Sequence, residues 1–160
     1  MRFETQASRT LSTSLSEILR QLVVPATWPK WQSEIVSTSG PERISEGDVV
    51  SGQASMLGFE VAGRATAVEI SDEAIEQDVV IGVRMRVRYV LTPTPEGFRI
   101  THRLTADLPS GFAGRILSFF LKRRLRSMQR DVLENLVQRL SVSGSSETVW
   151  PNPVARSLGE

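Results

Sequence analysis

No cysteine occurs in the chain, and only one histidine and one tyrosine do. The first absence excludes disulfides, thiolate metal sites and a cysteine nucleophile, and suits a reducing compartment. The single histidine excludes a multi-histidine metal centre. No run approaches the ~20 apolar residues that span a bilayer, and the opening MRFETQASRT has no apolar signal core. A cytoplasmic location is therefore expected. A dominant charge is missing as well. The 19 basic and 18 acidic residues nearly cancel, so nothing in the net charge steers the chain toward nucleic acid. The nucleophile elbow of hydrolases, the phosphate loop of kinases and the glycine fingerprint of dinucleotide enzymes are all absent, and no cofactor is expected. Carboxylates such as Glu60, Glu69 and Asp107 offer no paired acid and base.

What is present is pattern. The chain of 160 residues fits one domain. RFETQASRT alternates as a short strand, and SLSEILRQLVV follows with helical spacing at Leu15, Ile18, Leu19 and Leu22. Ser14 can cap that helix, with Glu17 three residues on, and Pro25 ends it. PATWPKW reads as a short helical elbow, with Trp28 and Trp31 anchoring it to the rim of whatever it covers. From Gln32 to Leu108, alternating runs are separated by turn signals, the signature of an antiparallel meander. In RMRVRYVL, Arg84, Arg86 and Arg88 share one face; Met85, Val87, Tyr89 and Leu91 share the other. Glu76 and Asp78 can pair with these arginines across strands. In FRITHRLTADL, the apolar face carries Phe98, Ile100, His102 and Leu104, so the lone histidine points to the dry side.

The longest element comes last. FAGRILSFFLKRRLRSMQRDVLENLVQRL places Leu117, Leu121, Leu125, Met128, Val132, Leu136 and Leu140 within an arc of about 140°, at 100° per residue. This predicts an amphipathic helix of roughly 40 Å. It holds seven of the basic residues and two of the acidic ones. Phe119 and Phe120 fall outside the stripe, beside Lys122 and Arg123, a combination that suits transient contact with an anionic membrane. A second subunit could cover the same phenylalanines, giving a homodimer. The residues after 140 are rich in serine, proline and glycine and read as a flexible tail, 141–160, following a domain of residues 1–140.

These elements make an α+β layout in which the helical stripe must cover the dry face of the sheet. A twisted sheet curling round one helix is seldom filled completely by it, and the remainder forms a pocket. The element order, the TWPKW elbow, the run LTPTPEGFRITHRL and the closing amphipathic helix resemble the START-like superfamily, also called SRPBCC or Bet v 1-like. Within it, the likeness is to the polyketide cyclase/dehydrase and lipid-transport group. The resemblance implies a helix-grip fold: a seven-stranded curved antiparallel sheet wrapped around the C-terminal helix, with two short helices between strands 1 and 2. It also implies a cavity for a hydrophobic small molecule such as a lipid, polyketide or aromatic compound.

On that reading, Leu117, Leu121, Leu125, Met128 and Val132 face Met85, Val87, Leu91, Phe98, Ile100 and Leu104 across the cavity. Tyr89 and His102 are its polar groups, and Trp31 closes its rim. Met56, Met85 and Met128 adapt to irregular shapes and suit either such a wall or a solid core. Three functions compete: a non-catalytic binder or carrier, a polyketide cyclase/dehydratase-like enzyme in which His102 and Tyr89 assist proton transfer, and an accessory protein that docks on a partner or membrane. A wall with several converging polar groups favours the enzyme; a mainly apolar wall favours the carrier.

Overall fold

The computed structural model describes residues 1–144, with side-chain surroundings to residue 141. Strand β1 (Arg2–Leu11) leads to helix α1 (Leu15–Val23) and a 3₁₀ turn at Pro25–Lys30. Then come β2 (Ile35–Ser39), β3 (Val49–Met56), β4 (Phe59–Ile70), β5 (Ala74–Ile81), β6 (Val83–Thr94), β7 (Gly97–Asp107) and the long helix α2 (Gly111–Gly144). The seven strands form one antiparallel sheet in the order β1-β7-β6-β5-β4-β3-β2, with β1 returning to pair with β7.

Local chemistry sets these boundaries. The Ser14 hydroxyl accepts from the Glu17 amide and caps α1, and Pro25 sits where a helix would need an amide donor. Met56 pairs with Phe59 across a two-residue turn whose residues, Leu57 and Gly58, both have positive φ. Such turns match the twist of the flanking strands, and glycine takes the second position without a Cβ clash. Helix α2 continues to Gly144, past the expected start of the tail. The rest of that tail, with Trp150 and Val154, lies outside the described residues.

The period-two patterns translate into two unlike faces. Ile100, His102, Leu104 and Ala106 are buried on β7, and Arg99 and Arg103 are exposed. On the convex face, Arg86 donates to both oxygens of Asp78, at 2.7 and 3.0 Å, and Arg88 Nη1 lies 2.6 Å from both Glu69 and Glu76. Hydrogen bonding and charge from Arg86 lower the Asp78 pKa. The Arg86–Asp78 pair is exposed and the Arg88 pairs are part-buried; surface pairs of the first kind are worth on the order of 0.2–1 kcal/mol.

The concave face carries a core in two parts. One gathers Ile18, Leu22, Trp31, Ile75, Leu91, Ile100, Leu133 and Leu136 beneath α1 and the C-terminal half of α2. The other gathers Phe3, Met85, Leu104, Leu121 and Leu125 near the start of α2. Val87 and Met128 pack against both. Helix α2 packs chiefly on β1. Arg9 Nε donates to Glu134 at 2.7 Å, and Thr5 Oγ1 donates to Gln129 Oε1 at 3.1 Å. The β2–β5 side of the concave face is therefore less fully covered.

Candidate functional site

A cavity of about 100 Å³ opens where the two parts of the core meet, below β2–β5. Its origin is visible in the side chains: Ser37, Gly52, Ala54, Gly63 and Ala65 stand on its wall where larger residues would fill it. Gly52 and Gly63 face each other in the β3–β4 register. A Cβ on Gly52 would collide with the Ser37 carbonyl, and one on Gly63 would press on the Ile81 side chain at 2.8 Å. The small residues thus bring β2 close and leave a hollow beneath it. Met56, Val79, Ile81, Met85, Val87, Leu104, Met128 and Val132 supply a mostly apolar lining.

Of the residues expected around the cavity, Met85, Val87, Tyr89, His102, Leu104, Met128 and Val132 line it. The others stand elsewhere. Leu91, Ile100 and Trp31 are in the first part of the core, with Phe98 half-buried against it. Leu121 and Leu125 are in the second. Leu117 is 42% exposed and Ser118 takes the inward position, its hydroxyl donating to the Pro109 carbonyl at 2.8 Å. The buried arc of α2 is centred near Leu125, Val132 and Leu136. At about 100° per residue, Ser118 lies within that arc and Leu117 at its margin.

Polar side chains also stand on the wall, and two buried ones were not anticipated. Gln77 is buried on the cavity wall. Glu34 also lines it and accepts from Arg124 Nη2 at 2.9 Å, tying the start of β2 to α2. Tyr89 and His102 are direct partners in the β6–β7 register, and their rings meet edge-on at 4.7 Å. Trp31 also meets Tyr89, with ring centroids 6.3 Å apart, and its Nε1 is buried with no hydrogen-bond partner among the described residues. Burial lowers the His102 pKa to about 4 and raises that of the Tyr89 phenol well above its ordinary value. Both are therefore neutral at physiological pH.

Two larger depressions lie outside the sheet-helix interior. One of about 440 Å³ sits on the convex face among Arg2, Arg64, Asp78, Arg84 and Arg86. The other, of about 700 Å³, runs between β1 and α2 past Arg9, Phe119, Lys122, Arg123, Arg126 and Arg130. The first has a mainly polar lining, and the second is ringed by cationic side chains.

A curved antiparallel sheet gripping one long C-terminal helix, with two short helices after the first strand, defines the Bet v 1-like helix-grip fold. The chain belongs to the family described as polyketide cyclase / dehydrase and lipid transport, which it matches over residues 2–141. Among curated proteins, none matches.

Solved structures share the fold. TTHA0849 from Thermus thermophilus is 19% identical with a TM-score of 0.75, covering 88% of this chain and 99% of that one. The di-domain ARO/CYC StfQ from the steffimycin biosynthetic pathway is 15% identical with a TM-score of 0.74. There 90% of this chain matches 52% of StfQ, so the chain spans about half of its length. Ara h 8.0201 is 13% identical with a TM-score of 0.59, covering 86% of this chain and 99% of that one. At these identities the likeness is one of fold. No helix among the described residues is long and apolar enough to cross a membrane.

Proposed function

We propose that the protein binds and carries a hydrophobic small molecule in the cavity between β2–β5 and α2. The observation that carries this reading is the cavity itself: a mainly apolar hollow that survives the docking of the helix because its wall is built from glycine, alanine and serine. Its volume is of the same order as the ~150 Å³ apolar void that admits a benzene ring. A ring-sized guest, or one end of a longer chain, fits that space. The family's polyketide cyclases supply an enzymatic alternative, in which the same cavity folds a reactive chain. The chemistry of the wall favours the carrier. His102 and Tyr89 are both held neutral by burial, far from the poised pKa that a proton-transfer group needs.

Native mass spectrometry of the purified protein tests this. The expected result is a small-molecule adduct that is lost when Ala65→Leu fills the cavity. An adduct-free protein that also takes up no aromatic or acyl probe would contradict the reading.

A second reading concerns the surface. Phe112, Ile116, Phe119 and Phe120 are exposed on the outer side of α2, at 85, 55, 64 and 55%. Arg115, Lys122 and Arg123 stand among them. This pairing of apolar and cationic groups suits an anionic membrane surface, from which a carrier could load. Co-sedimentation with anionic liposomes at low salt should fall several-fold in Phe119→Ser/Phe120→Ser. Equal binding by the variant, or no binding by either protein, would overturn it, and dimers in solution would assign the patch to a second copy.

A further inference from the structure

Gln129 occupies the middle of the buried seam of α2, where Leu125, Val132 and Leu133 beside it are apolar. An amide in such a place has to find partners. Its Nε2 lies 2.8 Å from His102 Nδ1, 3.0 Å from the His102 carbonyl and 3.4 Å from the Thr5 carbonyl. Its Oε1 accepts from Thr5 Oγ1 at 3.1 Å. Carbonyl oxygens only accept, so the end of the amide facing them is the NH₂ group. His102 Nδ1 must then accept as well, and the ring proton resides on Nε2. Nε2–H has no hydrogen-bond partner among the described residues, although the ring is 3% exposed and stands on the cavity wall beside Tyr89.

We propose that Gln129 locks His102 as a hydrogen-bond donor to the cavity, and that the guest is an uncharged, largely apolar molecule whose carbonyl oxygen accepts from Nε2–H. The proposal rests on the cavity-binding reading above and narrows it to a ligand class. Glu34 on the same wall is already paired with Arg124, and Arg64, the cation on that wall, is exposed. A carboxylate therefore has no buried countercharge there, whereas a neutral carbonyl needs only the donor. A ring that already carries its proton on Nε2 takes none from the guest at that atom. His102 accordingly orients the ligand, and Gln129 is its positioning residue.

Two measurements test this. Nitrogen NMR of the single histidine reads the tautomer directly. A protonated Nε2 and a bare Nδ1 at neutral pH are expected, with the preference relaxed in Gln129→Met. A protonated Nδ1 in the wild type would overturn the proposal. Binding of acetophenone and ethylbenzene, similar in shape and differing by a carbonyl oxygen, reads its consequence. The ketone should bind about twofold to tenfold more tightly, the range expected of one net hydrogen bond. That preference should disappear in His102→Phe, whose similar ring leaves the Gln129 amide on its two carbonyl partners. Equal binding of both probes to the wild type would overturn the donor role alone. Binding of neither, with the tautomer as expected, would overturn the cavity reading beneath it and this proposal with it.

Discussion

At the scale of single residues, the inward side of β7 was open to inspection in the sequence, because strict alternation leaves His102 no other face. Its partner was harder to see. Gln129 sits four residues after Leu125 and four before Leu133, on the buried seam by spacing, but a glutamine in an apolar stripe carries no signal until a strand is placed beneath it. Gln77 alternates with Ile75, Val79 and Ile81 on β5, whereas Glu34 was hidden because its burial depends on its pairing with Arg124 of α2. The state of His102 has a measurable consequence. Its pKa is lowered by burial, from 6.5 to about 4. The unfolded chain then binds more protons than the folded one between these values. The neutral ring's contribution is fully present above pH 6.5 and is lost as pH falls toward 4. Its size is on the order of 3 kcal/mol. In urea melts, the stability change of the wild type between pH 6.5 and 4 should exceed that of His102→Phe by about this amount. Parallel slopes would show that the ring titrates normally in the folded protein.

At the scale of elements, long periodic segments were the easiest to read. The seven strands, α1 with its Ser14 cap, and α2 all appear in the expected order. The face of α2 was read with less accuracy near its start. The leucine count draws Leu117 into the stripe, but that residue stays exposed, and Ser118 turns inward to hydrogen-bond Pro109. Leu125 shows 0% exposure and Leu117 shows 42%. Truncation should therefore separate them. Leu125→Ala should cost about 2–5 kcal/mol from lost burial and a residual void. Leu117→Ala should stay within about 0.5 kcal/mol of the wild type. Chemical denaturation midpoints check both, and similar losses at the two positions would contradict this placement of the helix.

At the scale of the whole molecule, the sequence led to an α+β domain in which a curved sheet grips its final helix, because a dry sheet face and an apolar helical stripe of similar length have to bury each other. The position of the cavity was not readable in the same way. It arises from small residues on β2, β3 and β4, which contribute no hydrophobic pattern, and from a helix that leans on β1. The account stands on that hollow admitting a hydrophobic guest. Three of the four methionines, Met56, Met85 and Met128, line it, and Met1 lies outside. Methionine methyl NMR during titration with ethylbenzene therefore tests the claim most directly. Saturable shifts of Met56, Met85 and Met128 with Met1 unmoved are predicted. Shifts confined to Met1, or no saturable shift of any methyl group, would contradict it.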